Sequence, residues 1–483
     1  MIVPPLAINV HATQIYEPVK VALLRSLVGM MVLAWVVLTV EEHVRRPGGR
    51  VIDRSRSWLA LPLVVPVLLF AASYVVSTLF SLNPSKSLWG SFSRLQGTYS
   101  TLCYLALFGL VAEHLRTRQQ IDRLVTAILL GSVPVAAYGI SEHFGLGPLV
   151  TTSTAIVGTL GSSLFLSSYL VLVIPLVLAR VFESLAPGVT DGAMWNGAVR
   201  NGAVQKPRPV AALLYGVLLA VHAAVILVSG SRGPAVGLAG AGLVAVALAL
   251  PRVRHWLWAP WLGAAVGGVL LLVAMNSSGP MLSPLFEPLR SAPYVERFSS
   301  VIRTDGPTVR VRTLLWDSAT ELLLRTTPLG IPGDTLAPPD RHHPIRPLVG
   351  YGPENQPTAM TVVFPPEIAL IEGRRARPDR AHNETIDLAV TTGLLGVLAY
   401  YVLMFGLLAY ALELLGWVGG ASRRRRTIVT LATCGVLAVV VAALLDRTGS
   451  PLTFVGLALP FGVVAGVLVH VVWRCARDGR TSG

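Results

Sequence analysis

The stretch "PVAALLYGVLLAVHAAVILVSGSRGPAVGLAGAGLVAVALAL", residues 209–250, carries one arginine and one histidine and is otherwise uncharged. About 20 apolar residues cross a 30 Å hydrocarbon core as a helix. The stretch is therefore long enough for two crossings, 209–229 and 234–250. Little more than Ser229, Gly230, Ser231, Arg232 and Gly233 is left for the turn between them.

Runs of the same kind recur along the chain. The spacing predicts about eleven spans (10–12), near 19–40, 58–80, 98–113, 122–142, 162–182, 209–229, 234–250, 256–274, 388–412, 427–445 and 452–473. The composition agrees: 53% hydrophobic and 13% charged residues over 483 positions, with a mean hydropathy of +0.64, is far too apolar for a soluble chain of this length. Transmembrane strands would show segments of about ten residues alternating in polarity, whereas these runs are continuous. The fold class is all-α, a polytopic membrane protein read as one domain over 1–483.

The net charge of +14, from 39 Lys+Arg against 25 Asp+Glu, sits in the short loops. "HVRRPGGRVIDRSR", "HLRTRQQIDR", "RNGAVQKPRP", "PRVRH", "SRRRR" and the tail "RCARDGR" fall on one side if the spans alternate. The short loops opposite carry only one or two basic residues each. The positive-inside bias makes the basic set cytoplasmic, with the N-terminus outside and the C-terminus inside. The excess charge is a topology signal, so nucleic acid is not expected as a partner. Cys103, Cys434 and Cys475 have neither disulfide nor zinc spacing. No cleavable leader pattern precedes the first span, so insertion through the chain's own helices is expected, with Ala7 to Pro18 along the outer surface.

One large loop remains, residues 275–385, which alternation places on the outer face. From Asn276 to Thr385 it carries twelve Arg against twelve Asp+Glu. Within it "VRVRTLLWDSATELLLRTTP", 309–328, spaces Leu314, Leu315, Ala319, Leu322 and Leu323 as an amphipathic helix stopped by Pro328. From Asp340 to Arg377 the pattern dissolves among Pro, Gly and charges, which predicts a mobile flap or an insertion. Pro378 and Asp379 then read as the first turn and cap of the helix that becomes the next span.

Several polar residues could carry chemistry. His382, in "RPDRAHNETIDL", would stand at a helix start, where the dipole keeps an imidazole neutral and able to accept a proton. The bland alternative is an interfacial histidine satisfied by Asp379 or Glu384. Arg232 could grip a phosphate or snorkel to headgroups. Arg310 and Arg312 open the loop helix against its own dipole, so they call for an anion or for pairing with Asp305 or Asp317. In "NPSKSLWGSFSRLQGTYS", Trp89, Arg94 and Gln96 suit a sugar or an interfacial anchor. The outward segments hold no Asp-x-Asp pair, no Cys/His metal cluster and no nucleotide cradle, so no metal and no cofactor are expected.

Taken in order, "SLWGSFSRLQGTYS", "GTLGSSLFLSSYLVLVIPLVLAR", "SGSRGPAVGL", "RTLLWDSATELLLRTTPLGIPGDTL" and "DRAHNETIDLAVTTGLLGVLAYYVL" resemble the O-antigen ligase and polymerase-like superfamily of bacterial membrane glycosyltransferases, over roughly residues 10–470. The resemblance implies an inner-membrane enzyme with a large periplasmic loop. It would move an oligosaccharide from undecaprenyl diphosphate to a hydroxyl acceptor such as lipid A core, without a metal. It further implies His382 as the base on the acceptor hydroxyl, and Arg232 with Arg312 (or Arg310) as the arginines on the lipid diphosphate. The family's usual twelve spans with both ends cytoplasmic differ from the eleven counted here, and the stretch from Asp340 to Arg377 looks longer than the family needs. A polymerase joining lipid-linked repeats is the alternative. A small-solute (bicarbonate-like) transporter is a second, disfavoured because the span interiors are nearly free of charge.

Overall fold

The computed structural model describes residues 2–45, 63–146, 156–185, 207–253, 307–329, 340–373, 379–445 and 455–481, with short helical pieces between 260 and 286. The described residues form helices and connecting turns, with no strand among them. We number the long helices α1 (Glu17–Arg45), α2 (Val64–Leu79), α3 (Thr98–His114), α4 (Arg118–His143), α5 (Ser163–Leu185), α6 (Pro209–Ser229), α7 (Arg232–Val253), α8 (Pro307–Leu324), α9 (Glu384–Leu414), α10 (Ala421–Leu445) and α11 (Val455–Thr481).

Eight of these are long and apolar enough to cross a membrane: α1, α4 to α7, and α9 to α11. The shorter α2 and α3 coincide with two further expected spans, and the span expected at 256–274 lies mostly outside the described residues. Large apolar side chains point outward along them, among them Leu33, Leu172, Leu213, Leu437 and Phe461. In water such faces would be costly, whereas acyl chains solvate them.

The chain divides into two compact units. The first comprises residues 1–24 and 111–303, so it takes the start of α1 together with α4 to α7. Its core joins Val135 and Ala136 of α4, Leu166 and Leu170 of α5, and Val225 and Ile226 of α6. The N-terminal segment folds onto the turn before α5. Lys20 Nζ donates to the carbonyls of Pro5 (3.1 Å) and Ala7 (2.5 Å), and Thr159 donates to Pro5 (3.0 Å). Glu142 closes the same turn, accepting the N–H groups of Val157 (3.0 Å) and Gly158 (2.7 Å).

The second unit comprises 25–110 and 304–483. One core of this unit is built on α8, whose buried Leu315, Trp316, Ala319 and Leu322 follow the expected helical spacing. The helix ends at Leu324, four residues before Pro328, which itself cannot continue it. Against this face pack Tyr351, Met360, Val363 and Ile368. These belong to the stretch expected to be a mobile flap or an insertion, and its packed short helices go against the first of these. Residues 340–373 are a compact series of short helices at His343–Ile345, Arg346–Val349, Gln356–Met360, Thr361–Val363 and Pro366–Ile371. Residues 374–378 lie outside the described set.

The ordering of this stretch has a polar centre. The side chain of Arg346 is only 2% exposed and that of its partner Asp340 5%. The guanidinium makes a bidentate pair, Nε to Oδ2 at 2.7 Å and Nη2 to Oδ1 at 2.8 Å, and its Nη1 donates to the carbonyls of Phe80 (2.6 Å) and Gly350 (2.9 Å). Burial alone would raise the Asp340 carboxyl, but the hydrogen bonds and charge of Arg346 outweigh it and hold it below its ordinary 3.8.

The helix α9 is broken. Gly393 adopts φ 66, ψ −168, a conformation open essentially only to glycine. The break frees two carbonyls, which are satisfied from outside the helix: Tyr351 N–H donates to Val390 O (2.8 Å) and Gly352 N–H to Thr391 O (2.9 Å). Ser77 Oγ adds a bond to Thr391 O (2.6 Å). Gly350 and Gly393 let these backbones approach, since a Cβ on either would strike the main chain of the other segment. Residues 394–414 alone give about 31 Å of helix at 1.5 Å per residue, enough for a crossing. The part of the helix before Gly393 instead contributes Ile386 and Val390 to the core built on α8.

Candidate functional site

The approach to α9 differs from the expected cap. Pro378 lies outside the described residues, and the helix begins at Glu384 with Asn383 as its N-cap, not at 378–379. His382 immediately precedes that cap with φ 54, a left-handed conformation that an L-residue adopts at a cost of about 1–2 kcal/mol. The structure surrounds it with restraints. Asp387, one turn into the helix, accepts the N–H of Ala381 on Oδ1 (2.7 Å) and the N–H of Asn383 on Oδ2 (3.3 Å). Gln356 Nε2 donates to the same Oδ1 (2.9 Å). From the other side Trp316 Nε1 donates to the carbonyl of Ala381 (2.8 Å).

The neighbours of His382 are thus fixed while its own imidazole is exposed, without a hydrogen bond among the described residues. Neither expected orienting carboxylate reaches it. Asp379 is paired with Arg94, and Glu384 makes no bond to the ring. Asn383 is buried against Gly456 of α11, where any Cβ would collide with the amide.

The short loop at 83–97 reaches this turn. Asn83 caps a helix over Pro84–Trp89 by accepting Lys86 N–H (3.0 Å). Gly90 and Gly97 then approach so closely that neither could carry a Cβ. Beyond them Arg94 pairs with Asp379, and Arg380 donates to Gln96 Oε1. Glu354 completes the join, accepting Gln96 N–H (3.0 Å) and Ser91 Oγ (2.8 Å). The loop is anchored from α1: Arg25 donates to Ser100 Oγ (2.8 Å) and to the carbonyls of Trp89 (2.7 Å) and Leu95 (2.6 Å), and lies over the Tyr99 ring.

Backbone strain gathers in the same place. Four non-glycine residues have positive φ among those described, and three of them, Leu95, Glu354 and His382, belong to this cluster. Strain of this kind persists only where surrounding contacts over-determine it, and it concentrates at functional sites.

The other candidates are placed as follows. Trp89 is half exposed and stacks edge-on to Tyr99 at 5.4 Å, with Arg94 and Gln96 further along the same loop. Arg310 is taken by a carboxylate that the sequence reading did not name. Its Nε and Nη2 each reach Glu367 at 2.9 Å, and those hydrogen bonds hold the Glu367 carboxyl below its ordinary range. Asp305, one expected partner, lies outside the described residues. Arg312 is exposed, with no bond among the described residues. In the first unit Arg232 is exposed at the start of α7, three residues after α6 ends at Ser229. Gly230 (φ 67) makes that turn, and Ser229 Oγ meets Ser167 Oγ at 2.6 Å beneath it. Among the described residues no three His, Cys, Asp or Glu side chains are grouped to hold a metal.

An all-helical membrane protein with several spanning helices is defined by these features, and its second unit exposes a histidine on a restrained turn. Residues 214–401 match the family model described as O-antigen ligase (Wzy_C), which supports a likeness to the O-antigen ligase-like superfamily. The matched segment runs from α6 into α9 and contains Arg232, Arg310, Arg312, His382 and Asp387. No curated protein and no solved structure matches the chain.

Proposed function

We propose that this protein transfers an oligosaccharide or polysaccharide from undecaprenyl diphosphate to an acceptor hydroxyl, as in ligation onto lipid A core. The observation that carries the reading is His382, whose exposed ring stands on a turn fixed on both sides and falls within the family match. In the proposed step an imidazole nitrogen takes the acceptor proton as the acceptor oxygen bonds to the anomeric carbon. The bond from that carbon to the diphosphate oxygen breaks, and undecaprenyl diphosphate leaves with the electron pair. Arginines suit that leaving group, because a guanidinium neutralises phosphate charge with two parallel donors and no metal.

Arg312, exposed and unpartnered among the described residues, is the better donor of the two on α8, since Arg310 is already engaged by Glu367. Arg232, exposed at the start of α7, is proposed to bind the lipid diphosphate, since a guanidinium suits phosphate oxygens. Arg94, Gln96 and Trp89 are assigned to the glycan, with Arg94 and Gln96 also tying their loop to 379–380. The location proposed is the bacterial inner membrane, with the loop 275–385 periplasmic and the C-terminus cytoplasmic, in keeping with the basic short loops.

The glycan that accumulates on undecaprenyl diphosphate when the protein is removed tests the reading. Accumulation of long polymer is expected for a ligase. Single repeat units would instead make it a polymerase, and no accumulation at all would remove both.

A further inference from the structure

An N-terminal cap ordinarily satisfies the free N–H groups of the first turn with its own side chain. Asn383 has the right chemistry and does not do so: its side chain makes no capping bond and is buried against Gly456. The carboxylate at this helix start comes from Asp387, and it points backward, out of the helix, to Ala381 and Asn383. Those two N–H groups bracket His382, the residue with φ 54. No bond from Asp387 to the imidazole is present. The carboxylate is itself held by Gln356, which is 2% exposed, and the far side of Ala381 is held by the indole of Trp316.

We propose that Asp387 is a positioning residue for the transfer reaction, fixing the left-handed turn that presents His382 to the acceptor hydroxyl, with Gln356 orienting the carboxylate. The proposal rests on the reading of His382 as the base. Its physical basis is that a base must reach the reacting proton within hydrogen-bond distance, and a misplacement near 1 Å costs about a hundredfold in rate. Without the carboxylate, Ala381 and Asn383 on either side of His382 lose the bonds that hold the strained turn, and the ring relaxes to other directions. In Asp387→Asn the amide keeps the size of the side chain, but its NH₂ group confronts one of the two N–H donors.

The test uses the full-length protein in liposomes, with undecaprenyl diphosphate-linked glycan and acceptor extracted from cells lacking it. For Asp387→Asn, kcat is expected to fall about ten- to a hundredfold, with KM for the lipid-linked glycan within about twofold of the parent. In a His382→Ala background the same change is expected to produce no further loss, because the two residues act as one unit. Should Asp387→Asn fail to fold, Gln356→Leu keeps the carboxylate and is expected to lower kcat by a smaller factor at unchanged KM. A folded Asp387→Asn protein with the parent kcat, or a KM increase that accounts for its whole defect, overturns the proposal while leaving His382 as the base. A normal rate for His382→Ala instead overturns the reading of the base, and the positioning role with it.

Discussion

Removal of the guanidinium of Arg346 should unlatch residues 340–373. In Arg346→Met the aliphatic stem is retained, while Asp340 is left as a buried carboxylate and the carbonyls of Phe80 and Gly350 lose their shared donor. Breaking one side of a buried pair costs about 3–5 kcal/mol, chiefly through the charge left behind. Hydrogen exchange of the Tyr351 and Gly352 amides reads this directly, because both close the break in α9. At about 1.4 kcal/mol per factor of ten, their exchange should accelerate between roughly 10² and 10⁴ times. The double variant Arg346→Met with Asp340→Leu should recover most of the loss, since no charge remains to be solvated. The same pair sets an acid limit. The Asp340 carboxyl lies below 3.8 when folded, so its contribution is complete above that value and is lost as pH falls through the folded one. An acceleration of less than about tenfold in Arg346→Met, or a double variant as damaged as the single, would refute the latch.

Other residues give sharper contrasts. Gly393→Ala should destabilise by about 1–3 kcal/mol from its backbone conformation alone, with more from collision with Leu348, and a thermal melt in detergent should show a lower Tm. Gly456→Ala should displace Asn383 and lower transfer in proportion to the disturbance of the His382 turn, measured as kcat in liposomes. Arg312→Ala should raise KM for the lipid-linked glycan more than Arg310→Ala, because Arg310 is already paired with Glu367; equal effects would remove the distinction.

Much of the architecture is legible in the sequence because the hydrocarbon core imposes one rule on every span. Apolar runs near twenty residues at 163–185, 209–229 and 455–474 announce themselves whatever they pack against. The helix over 307–324 was legible for a similar reason, as Leu315, Ala319 and Leu322 repeat with its period. The stretch 340–373 was not. Its order comes from non-local bonds, Arg346 to the carbonyl of Phe80 and Ser87 to that of Pro353, and short helices with little periodicity. His382 could be singled out by its flanking charges, but its supports could not. Asp379 and Glu384 were the nearer carboxylates in sequence, whereas left-handed geometry at 382 turns the backbone toward Asp387. One signal was available: Asp387 is a charge on the threshold of an apolar run, a position rarely filled without a partner.

His382 carries the central claim, and single-turnover transfer by His382→Ala protein in liposomes tests it most directly. Lipid-linked glycan should still bind the variant, while transfer to the acceptor should fall by about 10²–10⁴, the range for loss of a general base. Transfer at the parent rate would contradict the assignment.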